Sequence, residues 1–203
     1  MGPGRYMRKA IHCASLTNPA ILSSKVGSIV VADGIIIGEG CKKFAYVFYG
    51  NPDYGNSVLH AERVAIENAE GGAHGATLYT TLEPCLPLDY EGNHDFSCCS
   101  DLIAESGIKT VYIGMLDPNR DINGRGMDYL AEHGVNAILL PGFEDMISPL
   151  LEYERLPWKT TRGKSKDWRH LKPILGDKDT HIHWSILRRL EKARVRELMS
   201  EWV

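Results

Sequence analysis

Hydrophobic positions along this chain switch between two periods. Met7, Ile11 and Ala14 recur at helical spacing between Tyr6 and Ser15, and Thr17-Asn18-Pro19 closes that helix. Val26 to Ala32 is rich in β-branched residues, Asp33-Gly34 is a hairpin turn, and Ile35 to Gly40 returns as a second strand. Cys41 to Leu59 then predicts a long connection without regular structure, holding Tyr46, Phe48, Tyr49 and Tyr54. Loops of that length are uncommon unless they serve function. Its aromatics suit either a wall on which a substrate stacks or packing beneath the loop.

From His60 the helical period resumes, with Ala61, Val64 and Ala65 as the apolar face and Gly71, Gly72 and Gly75 ending the helix. Ala76 to Leu82 predicts a third strand, broken by Glu83-Pro84-Cys85. Ser100 to Ser106 predicts a third helix stopped by Gly107, and Thr110 to Gly114 a fourth strand. Met127 to His133 follows as a helix closed by Gly134, and Val135 to Leu140 as a fifth strand. Helices alternating with strands at this spacing predict an α/β fold, a three-layer α/β/α sandwich on one central five-stranded sheet. Phe143 to Tyr153 reads as helical. Beyond it the composition turns polar and basic. His183 to Val203 carries Trp184, Leu187, Leu190, Leu198 and Trp202 near helical spacing, an amphipathic helix suited to docking or dimerisation. The chain therefore divides into a main domain at 1–155 and a C-terminal extension at 156–203.

Composition narrows the class without choosing within it. At 203 residues, 43% hydrophobic and 24% charged, the chain is an ordinary globule able to bury a core. No apolar run approaches the roughly 20 residues of a membrane helix, and Met1-Gly2-Pro3-Gly4-Arg5 leads into no signal-peptide core, so the expected location is cytoplasmic. Net charge is −3, yet from Lys159 onward twelve Lys and Arg stand against six Asp and Glu, so the extension is +6 and the remainder −9. A basic tail suits either phosphate contact or docking on an acidic body.

The chemistry gathers in a few positions. His60 opens a helix, Cys85 follows the proline that ends a strand, and Cys98-Cys99 precedes another helix. One histidine and two cysteines are ligands suited to a catalytic Zn²⁺, whereas a structural zinc takes four protein ligands. Helix N-termini converging on that point favour thiolates. Glu62, two residues after the histidine, is placed to lean over an open metal position as a proton carrier; its alternative role is partner of the helix dipole. Five cysteines, an odd number, suit metal binding better than a disulfide framework.

A histidine with a nearby glutamate, then Pro-Cys, then a second cysteine resembles the zinc-dependent deaminases of bases and nucleotides. Thr81-Leu82-Glu83-Pro84-Cys85, Asp101-Leu102-Ile103, and Gly114-Met115-Leu116-Asp117-Pro118-Asn119 followed by Asn123-Gly124-Arg125-Gly126 are similar to the riboflavin-biosynthesis pyrimidine deaminase domain over about residues 6–142. The resemblance implies a cytidine deaminase-like fold with a mixed sheet. It implies zinc held by His60, Cys85 and Cys99; Cys99 rather than Cys98 has the family's seven residues before a Gly-Ile pair, here Gly107-Ile108. It also implies that zinc-activated water attacks the amine-bearing ring carbon of a pyrimidine, that Glu62 shuttles the protons, and that ammonia leaves.

Substrate contacts implied by the same resemblance are Ser23, Ala61, Glu83, Asp117 and Asn119, although Glu83 equally suits a strand-end cap and Asp117-Pro118-Asn119 simple turn chemistry. The sequence also departs from the family. Ser23-Ser24-Lys25-Val26-Gly27 replaces Asn-Pro-x-Val-Gly and looks more like deoxycytidylate deaminases. The 40–60 connection and the gap between Cys85 and Cys99 are longer, and the C-terminal extension does not resemble the reductase usually fused to the riboflavin enzyme. These changes surround the pocket and suggest an altered substrate on a retained catalytic centre. Other readings are a deoxycytidylate or nucleoside deaminase, a nucleic-acid base editor gripping a flipped base with its tail, and a zinc-folded assembly subunit. Overall acidity weighs against the editor, and the presence of Glu62 against the scaffold. A homodimer or higher homo-oligomer is the expected state.

Overall fold

In the computed structural model, residues 2–18, 21, 23–50, 57–86, 98–119 and 122–155 are described. Helix α1 (Pro3–Ser15) leads to the hairpin of β1 (Gly27–Ala32) and β2 (Ile35–Cys41). After β3 (Lys43–Phe44), α2 (Ala45–Tyr49) and β4 (Val58–Leu59) come α3 (Ala61–Asn68) and β5 (Thr77–Thr80). Then follow α4 (Cys99–Glu105), β6 (Thr110–Ile113), α5 (Arg125–Glu132), β7 (Asn136–Leu139), α6 (Glu144–Ile147) and a 3₁₀ stretch at Ser148–Arg155. The sheet order is β2-β1-β5-β6-β7; β1 is antiparallel to β2 and β5, while β5, β6 and β7 run parallel. This is the expected mixed five-stranded sheet.

Side chains alternate across a strand, so each strand feeds two cores. Ile29, Val31 and Tyr79 pack with Met7, Ala10 and Cys13 of α1 and with Ile147 and Leu151. Val30, Leu78, Val111 and Ile113 face the other way, onto Ala65 and Ile66 of α3, Ile103 of α4 and Leu130 of α5. Two helical layers thus sandwich the sheet. Met1–Glu154 forms one unit. No described helix is long and apolar enough to cross a membrane. The 156–203 segment, with its expected amphipathic helix, lies outside the described residues.

The connection read as irregular is partly ordered. Lys43 pairs with Leu59 and Phe44 with Val58 in a short antiparallel ladder. Ala45 and Leu59 are buried with Val64 of α3, and Phe48 packs against them. Phe48 is therefore packing beneath the loop; Tyr49 donates a hydrogen bond from its hydroxyl to Glu67 at 2.6 Å. Tyr54 lies outside the described residues. Two-residue strands are too short to leave a periodic signature, which is why the pattern missed them. The stretch from Phe143 is also less helical than expected: α6 gives way to the 3₁₀ stretch at Ser148, beside Pro149, whose nitrogen has no hydrogen to donate.

Gly38 and Gly40 let β2 and α3 approach backbone to backbone. A Cβ at Gly40 would lie 2.2 Å from the Ala61 carbonyl oxygen and 2.5 Å from the Ala65 nitrogen. Both contacts are backbone, so one element must move. Gly40→Ala is expected to destabilise the fold by at least about 1–3 kcal/mol and to shift the first turn of α3. Thermal unfolding checks the stability loss, and an unchanged melting temperature would contradict this packing.

Candidate active site

The first turn of α3, the exit of β5 and the first turn of α4 meet at one point. His60 is the N-cap of α3, and Ala61-Glu62 begin its first turn. Past Thr80 the chain stays fastened on both sides: Thr81 donates its amide to the Gly27 carbonyl of β1, and Glu83 donates its own to that of Met115, just beyond β6. The chain then bends through Pro84 to Cys85. There Ser100 donates both its amide (3.1 Å) and its hydroxyl (2.8 Å) to the Cys85 carbonyl. These bonds fasten Cys85 to α4 across a segment, 87–97, that lies outside the described residues.

Nδ1 of His60 is 3.3 Å from Sγ of Cys99 and 3.5 Å from Sγ of Cys85, and the three donor atoms lie within 4.8 Å of one another. The Cys99 amide also donates to Cys85 Sγ at 3.3 Å. The Cys85 thiol is held down to about 4, first by the hydrogen bond from the Cys99 thiol and then by His60, despite its burial. Cys99 moves the other way, well up, because it keeps the shared proton and is buried beside Glu62. Burial opposes charge on His60, but its bond to Cys85 carries it above the ordinary imidazole value. A tetrahedral zinc with Zn–S near 2.3 Å and Zn–N near 2.0 Å sets its ligands about 3.5–4 Å apart. The spacing and the N/S₂ donor set fit that ion, and this is the candidate metal group among the described residues.

Cys98 and Cys99 separate cleanly. Cys99 is the first residue of α4 and is buried, whereas Cys98 is its N-cap, whose sulfur accepts the Asp101 amide at 3.3 Å. Burial pushes the Cys98 thiol up to about 12. Cys98→Ser is expected to keep zinc at one per chain, since serine is a strong N-cap, while Cys99→Ser loses it. Metal analysis of the two variants checks this, and loss of zinc in both would undo the assignment.

Glu62 is 3% exposed. One carboxylate oxygen accepts from Thr80 Oγ1 at 3.4 Å; the other lies 3.6 Å from Cys99 Sγ. Ser28 Oγ donates in turn to Thr80 Oγ1 at 2.9 Å. Burial pushes the Glu62 carboxyl above the ordinary range, so a proton is held there more readily than in water. Sequence reasoning missed Thr80 and Ser28, which are fully buried and orient Glu62. In β1 the available signal was Ser28, a hydroxyl in an otherwise apolar run; in β5, which also carries Thr77 and Tyr79, Thr80 had none.

The remaining candidates fall in two groups. Glu83 is 2% exposed, and its two oxygens accept four backbone amides: Asp117 (3.1 Å) and Gly124 (3.0 Å) on one, Gly126 (2.8 Å) and Met127 (3.2 Å) on the other. Its geometry is that of the strand-end cap, extended into a clamp on the 117–127 loop and the N-terminus of α5. A Cβ on Gly126 would meet the Pro84 carbonyl at 2.6 Å, so that position has room only for glycine. Asp117 Oδ1 accepts the Asn119 amide at 2.8 Å, and the Asp117 carbonyl accepts from the Asn123 side chain at 2.8 Å. The clamp thus fastens the backbone at Asp117, Gly124, Gly126 and Met127. The Ser23 hydroxyl accepts from Lys42 at 3.3 Å. Ala61 has its methyl in the core.

The comparisons agree with this geometry. Residues 3–115, more than half of the chain, match the family model described as the cytidine and deoxycytidylate deaminase zinc-binding region. The riboflavin biosynthesis protein RibD of Actinobacillus pleuropneumoniae is 38% identical over 153 residues, covering 71% of this chain and 35% of that protein. The diaminohydroxyphosphoribosylamino-pyrimidine deaminase of Buchnera aphidicola (subsp. Schizaphis graminum) is 37% identical over 137 residues, covering 64% of this chain and 79% of that protein. Among solved structures, the Thermotoga maritima diaminohydroxyphosphoribosylaminopyrimidine deaminase/5-amino-6-(5-phosphoribosylamino)uracil reductase superposes with TM-score 0.55 at 39% identity, over 73% of this chain and 38% of that one. This chain therefore spans little more than a third of the Actinobacillus and Thermotoga proteins and most of the Buchnera one. It belongs to the cytidine and deoxycytidylate deaminase zinc-binding family.

Proposed function

We propose that this chain hydrolytically deaminates a pyrimidine-type base or nucleotide, with the aminopyrimidine of riboflavin biosynthesis as the first candidate substrate. The observation that carries the reading is the buried Glu62 carboxylate set against the His60, Cys85 and Cys99 donors. A scaffold has no chemical use for it there. His60, Cys85 and Cys99 would hold zinc, whose Lewis acidity would ease the loss of a proton from water near neutral pH. Glu62 accepts the proton that the attacking water gives up and passes it to the ring nitrogen. It then carries the second proton to the departing amine, so that water and the aminopyrimidine become the keto-pyrimidine and ammonia. Thr80 and Ser28 hold the carboxylate in place between these transfers.

The substrate is bounded by Ser23 on one side and by the clamped loop bearing Asp117 and Asn119 on the other. Ser23-Ser24-Lys25-Val26-Gly27 also supports a second reading, a deoxycytidylate or nucleoside deaminase. Ammonia release by the zinc-loaded protein separates the two when measured on the riboflavin precursor and on pyrimidine nucleosides and nucleotides. Release from the precursor alone supports the first reading, from deoxycytidylate the second, and silence throughout rejects both. A cytoplasmic homo-oligomer belongs to the same proposal. All five cysteines are free thiols, as suits a reducing compartment, and sedimentation as a monomer would remove the oligomer from it.

A further inference from the structure

A pair of hydroxyls stands where the α3 face of the sheet is otherwise apolar. Ser28 and Thr80 are partners across β1 and β5, next in the row after Val30 and Leu78, which pack with Ala65 of α3. All four side chains are fully buried. A buried hydroxyl costs free energy unless it is bonded, and valine would fill the Thr80 position with nearly the same shape. Packing alone therefore gives no reason for either hydroxyl.

The two oxygens of Glu62 have different neighbours. Oε1 accepts from Thr80 Oγ1 at 3.4 Å, whereas Oε2 lies 3.6 Å from Cys99 Sγ, on the side of the candidate metal ligands. A carboxylate can only accept, so Thr80 commits its single proton to Oε1. Ser28 Oγ, 2.9 Å away, is then the donor to Thr80 Oγ1. Were a proton to settle on Oε1, the Thr80 hydroxyl would lose the acceptor the structure gives it, in a place that water does not reach. That loss carries the desolvation cost of a buried donor. Resting on the deaminase reading above, we infer that Thr80, oriented by Ser28, holds Oε1 of Glu62 so that Oε2 is the oxygen exchanging protons with water and pyrimidine. Thr80 is then a positioning residue, and Ser28 acts through it.

Two readouts on the zinc-loaded full chain test this. The first needs no turnover: the infrared band of the Glu62 carboxyl group, identified as the band that Glu62→Gln removes. Thr80→Val should shift that band, because one oxygen loses its donor, and Thr80→Ser should leave it near the wild-type position. The second is ammonia release from the riboflavin precursor and from deoxycytidylate. With whichever compound is turned over, Thr80→Val should lower kcat by about tenfold or more, the worth of a hydrogen bond to a charged group. KM should change little, since the bond serves proton transfer rather than binding, and Thr80→Ser should restore most of the rate. Ser28→Ala should lower kcat in the wild-type background and add little to Thr80→Val, as expected of a residue acting through its neighbour. An unshifted band or an unchanged kcat in Thr80→Val overturns the proposal, and so do equal effects of Ser28→Ala in both backgrounds. Zinc content and melting temperature report whether Thr80→Val folds. Should it fail to fold, Ser28→Ala takes its place, with a shifted band and a lower kcat expected and either one unchanged overturning the proposal. Absence of ammonia release by the wild-type protein defeats the deaminase reading by itself; the infrared band then decides alone whether Thr80 holds Oε1.

Discussion

Glu62→Gln is expected to lower the rate of ammonia release by about 10²–10⁴-fold, the usual contribution of a positioned acid–base group, with zinc still bound at one per chain. Glutamine matches the carboxylate in size and can still accept from Thr80, so the packing around α3 is preserved. What it cannot do is take a proton from water and return it to nitrogen. The loss should therefore appear in kcat, with KM little changed, because the same group is asked to act in the transition state more than in binding. Parallel measurement of zinc content, melting temperature and ammonia release separates this from a folding defect. A variant that keeps both zinc and more than about a tenth of the rate would show that another group moves the protons.

Glu83→Ala is expected to be the most destabilising single change at the site, by at least about 3 kcal/mol, as when one partner of a buried charged network is removed. Four backbone amides lose their acceptor at once, and buried donors left unpaired carry their full desolvation cost. For a chain of this size such a loss is a fall of roughly 10 °C in melting temperature. Glu83→Gln should fall between, since its single carbonyl oxygen can serve two of the amides while its NH₂ faces the other two. Because the clamp fixes the loop carrying Asp117 and Asn119, the glutamine variant should raise KM more than it lowers kcat. A wild-type melting temperature in Glu83→Ala would contradict the four-bond geometry.

Much of this was written in local patterns. Periodicity located α1, α3, α4, α5 and the five strands of the sheet because each buries a face against another layer. The candidate metal ligands were legible because their chemistry restricts residue type. Histidine and two cysteines beside helix starts, with a glutamate two positions on, form a pattern that packing alone has no reason to repeat. Even Cys98 and Cys99 could be told apart by counting, and the structure gives a physical cause: one caps α4 and the other opens it.

What tertiary structure decided is what depends on long-range partners. Glu83 carries no local sign of where its oxygens point, and only the return of the chain at Asp117–Met127 supplies the four amides that fill them. Thr80 and Ser28 read as ordinary strand positions until β1 and β5 pair at Ser28↔Thr80 and set their hydroxyls under Glu62. Lys42 carries no local sign of burial, yet it is only 8% exposed where the chain enters the β3–β4 ladder. Residue identity determined the fold class and the reactive groups of this protein, because those follow from short-range periodicity and ligand chemistry. Which polar groups support, clamp and charge the pocket was left to strand pairing, because a hydrogen bond between residues tens of positions apart leaves no trace in either local sequence.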